Sequence, residues 1–244
     1  MENLLNIIIP AYNEGENIKE TIHEIENKIK TPNKIHIICD YDKDNTIPVV
    51  RELMKSRNSI KLLKNKHGKG FTNAIKTGFA SIDAGVVLVA MADLADDFNK
   101  VDAMFAKINE GYDIVCGSRY MKGGKQIGGS RLKQFFSRTA GVSLYYLLGI
   151  PTHDVTNSFK MYKKSVLNNL EIESSGGYEL GMEIIIKAFL NGYRITELPS
   201  TWRDRKVGKS RFKLWQWLPK YIHWYLFGLK GKIKNLLPGE TRVK

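Results

Sequence analysis

Short apolar runs alternate with longer amphipathic stretches through the first half of the chain. The runs fall at residues 4–10, 35–39, 60–63, 86–90 and 113–116, and the stretches between them at 16–30, 46–56, 70–84 and 100–109. Ile- and Val-rich runs bounded by polar turns read as strands, and longer segments with apolar positions three or four apart read as helices. The alternation predicts an α/β fold with a doubly wound, mostly parallel sheet. Unbroken runs such as VVLVA suit strands buried on both faces. Thr46 before Pro48 marks a helix start, because proline is tolerated in the first turn.

The second half is patterned differently. Residues 131–149 carry Leu132, Phe135, Phe136, Ala140, Leu144, Leu147 and Leu148 at helical spacing. A second helix is predicted at 178–191, opened by Gly176-Gly177, and a strand at 193–198. In the tail, Trp215, Leu218, Ile222, Tyr225 and Leu229 share one side of a helix, broadened by Trp217, Tyr221 and Trp224, with a kink expected at Pro219. The division expected is one α/β domain over 1–210 and an amphipathic basic tail over 211–244. No stretch approaches the roughly 18 apolar residues of a membrane span. The start MENLLNIIIP lacks the basic region of a signal peptide.

A hydrophobic content of 43% argues against disorder. The two cysteines, Cys39 and Cys116, each end an apolar run and read as buried free thiols suited to a reducing cytoplasm. The net charge of +13 admits nucleic acid, anionic lipid or phosphorylated ligands as partners. Its distribution narrows them. Residues 119–138 hold Arg119, Lys122, Lys125, Arg131, Lys133 and Arg138 with no acid between, whereas Asp93, Asp96, Asp97 and Asp102 cluster. An acidic pocket beside basic surface suits a metal site next to a phosphate site, and argues against a nucleic-acid binder.

Ligands of such sheets bind beyond the carboxyl ends of the strands. Those ends read PAYNE, DYDKD, KNKHGKG, MADLADD and GSR. PAYNE equally describes a helix start capped by Asn13, with Glu14 complementing the dipole. Asp40 and Asp42 are suited to a base or ribose, or to a solvated turn. Gly68 and Lys69, opening a helix, are suited to a phosphate, although the loop is neither a P-loop nor a dinucleotide fingerprint. Asp93, just past a buried strand, is a natural ligand for Mg2+ or Mn2+ bridging to a diphosphate, or part of an N-cap cluster.

The ordered set resembles glycosyltransferase family 2. Later motifs narrow the resemblance to the polyprenyl-phosphate, dolichol-phosphate-mannose type synthases: Gly117-Ser118-Arg119-Tyr120; Ser130-Arg131 with Ser137-Arg138; Asp154 to Tyr162; Gly177-Tyr178-Glu179; and Trp202 to Arg205 with Gly208-Lys209-Ser210. It covers roughly residues 4–215. The resemblance implies a GT-A-type fold in which Pro10, Tyr12, Glu14 and Asp40 hold the nucleotide and Asp93 the metal. It also implies that Glu179 lies near the donor sugar, and that Arg119, Arg131, Lys133, Ser137 and Arg205 meet the acceptor phosphate. Lys133 and Ser137, four apart, share a helix face. Four departures bear on metal and donor. Met91 stands where the first Asp of a DxD motif is expected, Ala95 stands where Gln is usual, the second-strand motif reads DYDKDNT rather than DDGSTDGT, and Lys133 replaces an Arg and loses its fork. Asp96 is the candidate to supply the lost ligand.

The implied activity is transfer of a hexose from a GDP- or UDP-linked donor to a polyprenyl phosphate, metal-assisted and inverting. Its expected setting is peripheral, at the cytoplasmic face of a membrane, where the family also works with separate membrane proteins. Two alternatives stay open: a saccharide acceptor, and a non-catalytic sugar-nucleotide binder.

Overall fold

A computed structural model describes residues 4–40, 42–175, 177–205 and 213–236, the side chains of 235 and 236 excepted. Tyr41, Gly176, the motif residues Gly208, Lys209 and Ser210, and residues 206–207, 211–212 and 237–244 lie outside the described residues.

The predicted alternation is present as β1 (Leu5–Ala11), α1 (Gly15–Lys28), β2 (Asn33–Cys39), α2 (Thr46–Met54), β3 (Ile60–Lys64), α3 (Phe71–Ala80), β4 (Val86–Val89), α4 (Val101–Asn109) and β5 (Ile114–Ser118). The second half supplies α5 (Arg131–Leu148), α7 (Leu180–Leu190), β8 (Ile195–Pro199) and α8 (Leu214–Leu236), which continues through Pro219. Four further elements have no counterpart in the hydrophobic pattern: β6 (Lys125–Ile127), β7 (Lys160–Lys163), α6 (Lys164–Asn169) and β9 (Thr201–Arg203). The reason is plain for β7. It reads KMYK, yet Lys160 is wholly buried.

The main sheet has the order β3-β2-β1-β4-β7-β5-β8, and β6 pairs with β9 separately. Every pairing in the main sheet is parallel except those of β7, which runs antiparallel between β4 and β5. The sequence-based, mostly parallel sheet is therefore present, with one reversed strand at its centre. The order changes direction between β1 and β4, which opens a crevice at their carboxyl ends.

Alternate residues of each strand face opposite layers. Ile7, Ile9 and Ile37 pack with α1, α2 and α4, while Ile8 and Ile38 pack with α3, α5 and α7. The tail helix belongs to the second layer. Trp224 is buried there, with Tyr221, Tyr225 and Leu229 packed around it. The single stripe predicted for the tail is thus two faces. Tyr225, Leu229 and Trp224 turn inward, while Trp215, Ile222, Leu226 and Ile233 form an exposed outer line. On α5, Leu144 and Leu148 are core, whereas Leu132, Phe135, Tyr146 and Leu147 are exposed. Both cysteines are free and buried as expected. No helix among the described residues is long and apolar enough to cross a membrane.

Candidate active site

The loop after β1 is fixed from the loop after β2. Asp44, almost fully buried, accepts the Asn13 N–H through both carboxylate oxygens at 3.0 Å and the Thr46 N–H at 2.8 Å. Thr46 Oγ1 in turn accepts from Glu14 N at 2.9 Å. Asn13 adopts a left-handed φ of 55° and does not cap α1, whose N-cap is Glu14. Pro10 is buried within β1, and Tyr12 and Glu14 emerge above it. Asp40 accepts from Asn65 Nδ2 at 2.7 Å and from Gly70 N at 2.8 Å. It therefore tethers the Gly68–Lys69 loop, where Gly70 holds a φ of 114° that side-chain-bearing residues rarely adopt. Asp42 stays outside this network, exposed and ion-paired to Lys64 at 2.8 Å.

The loop after β4 carries the acidic group. Asp93 is 6% exposed and accepts from Ala95 N. Leu94 between them has a φ of 60°, a strained conformation of the kind that clusters at functional sites. Arg205 Nη2 lies 2.7 Å from Asp93 Oδ2, and its Nη1 is 3.7 Å from Glu14 Oε1. Arg205 is delivered by β9, whose backbone donates to this same loop, Arg203 N to Ala95 O at 3.0 Å and Thr201 N to Asp97. Burial raises the Asp93 carboxyl above the usual range even against the Arg205 charge. Asp96 accepts from Met91 N at 2.8 Å, and burial and the Asp93 charge push it up to about 7. Asp102, grouped with these in the sequence, is elsewhere. It binds the N–H groups of Lys30 and Thr31 at the end of α1.

No three His, Cys, Asp or Glu side chains among the described residues converge into a cage for a metal. A Mg2+ or Mn2+ ion beside phosphates needs only one or two carboxylates. Asp93 with Asp96 near it fits that requirement once Arg205 yields Oδ2. Met91 and Ala95 offer no oxygen side chain.

The third group forms at the end of β5. Arg119 makes a two-pronged pair with the fully buried Asp154, Nε to Oδ2 at 2.7 Å and Nη2 to Oδ1 at 2.8 Å, and Nη2 also reaches Thr156 Oγ1. Nη1 makes no hydrogen bond to a described residue. The guanidinium lies 4.8 Å from the centre of the Tyr120 ring, and the Tyr120 hydroxyl bonds Ser137 Oγ on α5 and Gln126 Oε1. Arg119 and Ser137, distant in sequence, are so brought together. Lys133 sits one turn before Ser137, after a start capped by Ser130, while Arg131 points into solvent. Asp96 feels the charges of both Asp93 and Arg119, so the acidic and basic groups adjoin.

The fourth part is the loop before α7. Thr72 Oγ1 bonds Gly177 O, and Phe71 stacks on Tyr178 with ring centres 4.7 Å apart, which fixes the loop to the start of α3. Glu179 is 1% exposed. From α8, Tyr221 donates to Tyr178 O, and its phenol lies in the field of both Glu179 and Arg119.

Asp44, Asp154, Thr156, Tyr120, Trp217 and Tyr221 were not singled out as site residues by sequence reasoning. Asp44, Asp154, Thr156 and Tyr120 stood within quoted motifs, and Trp217 and Tyr221 within the amphipathic stripe of the tail.

Known proteins resemble the chain in sequence and in fold. The dolichol-phosphate mannosyltransferase of Pyrococcus furiosus is 29% identical over 214 residues, 86% of this chain and 59% of that protein. This chain therefore spans under two thirds of that relative. The polyprenol monophosphomannose synthase of Mycolicibacterium smegmatis is 26% identical over 241 residues, 93% of this chain and 88% of that one. Among solved structures, glucosyl-3-phosphoglycerate synthase from Mycobacterium tuberculosis, in complex with Mn2+, UDP-glucose and phosphoglyceric acid, shares the fold. It has a TM-score of 0.71 at 14% identity, covering 94% of this chain and 80% of that one. Residues 6–171, which span every strand-end loop from Asn13 to Asp154, match the profile described as Glycosyl transferase family 2, and to that family the chain belongs.

Proposed function

We infer that the protein transfers a hexose, mannose or glucose, from a GDP- or UDP-linked donor to a polyprenyl or dolichyl phosphate at the cytoplasmic face of a membrane. The observation that carries this reading is the proximity of two opposite charge groups, the Asp93 carboxylate with Arg205 on it at 2.7 Å and the Arg119 guanidinium fixed by Asp154, with Asp96 in the field of both Asp93 and Arg119. A diphosphate departing near carboxylates that hold a cation, and a phosphate arriving near arginine, require that polarity.

In the proposed step an acceptor phosphate oxygen bonds to the anomeric carbon, with inversion, as the bond to the nucleoside diphosphate breaks. That oxygen is already anionic, so the chain has to position it rather than deprotonate it. Arg119 offers Nη1 while Asp154 holds the rest of its fork, and Lys133 and Ser137 present a second cation and a hydroxyl from α5. Arg205 beside Asp93 suits a phosphate oxygen. A divalent cation held by Asp93, with Asp96 beside it, would supply charge neutralisation for the leaving diphosphate.

The exposed lines Leu132, Phe135, Tyr146 and Leu147 on α5, and Trp215, Ile222, Leu226 and Ile233 on α8, support membrane contact. Lys213, Lys230 and Lys234 accompany the second line, and aromatic and aliphatic side chains flanked by lysines favour the bilayer interface. The test is incubation with a short-chain polyprenyl phosphate, Mg2+ or Mn2+, and a panel of GDP- and UDP-sugars, with products read by mass spectrometry. One donor yielding a glycosyl-phosphate lipid supports the reading. Donor binding without lipid product from any donor refutes the acceptor assignment.

A further inference from the structure

Three buried polar atoms near the start of α7 have no partner among the described residues: Ser174 Oγ, and the pair Glu179 Oε2, an acceptor, and Trp217 Nε1, a donor. Buried polar groups are almost always hydrogen-bonded, so each exception needs a cause. The last two are neighbours. Lys220 Nζ is 3.6 Å from Glu179 Oε1 and 5.2 Å from the centre of the Trp217 ring, and the Trp217 and Tyr178 rings are 6.1 Å apart, edge to face. Lys220 is itself fixed to Ser175 O at 2.5 Å.

The backbone is shaped to admit the carboxylate. A Cβ on Gly177 would fall 1.7 Å from Glu179 Oε2, so a side chain there would displace it. The place is also defined. Gly177 and Tyr178 are fixed to the start of α3, directly after the Gly68–Lys69 loop. On the other side Tyr221, one turn beyond Trp217, lies in the field of Arg119. The unpaired atoms thus belong to a cluster joined to the start of α3 through Gly177 and Tyr178 and to α8 through Trp217 and Tyr221.

We propose that Trp217 and Lys220 extend the donor-sugar position that the resemblance gives Glu179 into a subsite that reads hydroxyl groups of the transferred sugar, which makes α8 a specificity element as well as a surface helix. This rests on the nucleotide-sugar reading above. The chemistry is that of polyol recognition. A carboxylate oxygen accepts from one hydroxyl, an indole N–H donates to another, and the Tyr178 and Trp217 rings offer faces to C–H groups. Lys220 balances the buried negative charge and leaves Oε2 as an acceptor. The other occupant that would satisfy both atoms is water, and the experiment separates the two.

The full chain is titrated calorimetrically with GDP, UDP, GDP-mannose and UDP-glucose, as wild type and as Trp217→Phe, Glu179→Gln and Lys220→Met. Trp217→Phe keeps the ring and removes the donor. It is expected to weaken the preferred nucleotide sugar roughly five- to tenfold, the size of one well-made hydrogen bond to a buried partner, and to leave the matching nucleoside diphosphate unchanged. Glu179→Gln is expected to act in the same direction. Lys220, 37% exposed at its side chain, is outside the core, and Lys220→Met provides an arm that tolerates misfolding of the other two. Its expected effect is a selective loss of about threefold. Equal losses for sugar nucleotide and nucleoside diphosphate, or no loss in any variant, overturn the subsite and leave water as the partner. A wild-type protein that binds none of the four ligands overturns the nucleotide-sugar reading itself, a result distinct from the first.

Discussion

The two halves of the molecule hold their functional loops by different means. From β1 to β4, loops at strand ends are held by carboxylates that accept from backbone N–H groups. Asp40 holds Gly70, and Asp44 holds Asn13 and Thr46. From β5 onward the chain doubles back through antiparallel β7, and the site depends on side-chain ion pairs: the buried Arg119–Asp154 pair, Arg205 with Asp93, and the buried Glu179 beside the partly exposed Lys220. A carboxylate that only accepts from backbone N–H groups costs less to replace, because some of those groups can reach water. A buried ion pair costs much more when one partner is removed, because the other is left charged and unsolvated.

That contrast predicts its largest effect at Asp154. Asp154→Leu should destabilise the fold by about 3–5 kcal/mol in urea denaturation, because it strands the Arg119 guanidinium. The Arg119→Met, Asp154→Leu double variant should recover much of the loss while losing acceptor recognition. A cost below about 1 kcal/mol for the single change would show that the pair does not hold this half together.

The next effect is a pH dependence in the first half. His36 is buried on β2 with Nε2 3.1 Å from Asn6 Oδ1, and Nδ1 has no partner among the described residues. Burial, then the charges of Lys61 and Lys34, lower its pKa from 6.5 to about 4. The fold favours the neutral ring, so between these values the unfolded chain binds a proton that the folded chain refuses. Stability is therefore full above pH 6.5 and falls as pH drops towards 4, by roughly 3 kcal/mol over the window. His36→Leu should flatten that part of the stability curve. An unchanged slope would assign it to other groups.

Asp44→Ala should cost less, about 1–3 kcal/mol, since it frees a few N–H groups of which some can reach water. It should also weaken nucleotide binding more than acceptor binding, because the loop it releases leads to Glu14. The smallest effect on stability belongs to the outer line of α8. Trp215→Ser and Ile222→Ser should each stay within about 0.5 kcal/mol of wild type, while their combination reduces flotation with anionic vesicles. Flotation equal to wild type would remove the membrane role from α8.

The same contrast governs what could be read in the sequence. A parallel β–α repeat brings its strand ends to one edge of the sheet, so β1 to β5, their helices and the loops at Glu14, Asp40 and Asp93 were legible from period and position. The second half was legible mainly as motifs. Lys160 made β7 look polar, although its ammonium is satisfied by the Val155 and Asn157 carbonyls in the interior. Arg119 was read for its charge, but its buried partner Asp154 lies 35 residues away, a pairing that no local pattern encodes. The tail stripe misled for a geometric reason. Aromatic residues cover more than one face of α8, and only packing distinguishes Trp224, which is buried, from Trp215, which is 70% exposed.

The identity of the acceptor is tested most directly by one competition experiment. The protein, with its preferred nucleotide sugar and Mg2+ or Mn2+, is offered a short-chain polyprenyl phosphate and 3-phosphoglycerate together, at equal concentration, in the presence of anionic vesicles. Mass spectrometry then shows which phosphate carries the sugar. The account predicts product on the lipid phosphate alone. Sugar found on the soluble phosphate instead would contradict it, and would reassign the Arg119, Tyr120 and Ser137 group to a small water-borne acceptor.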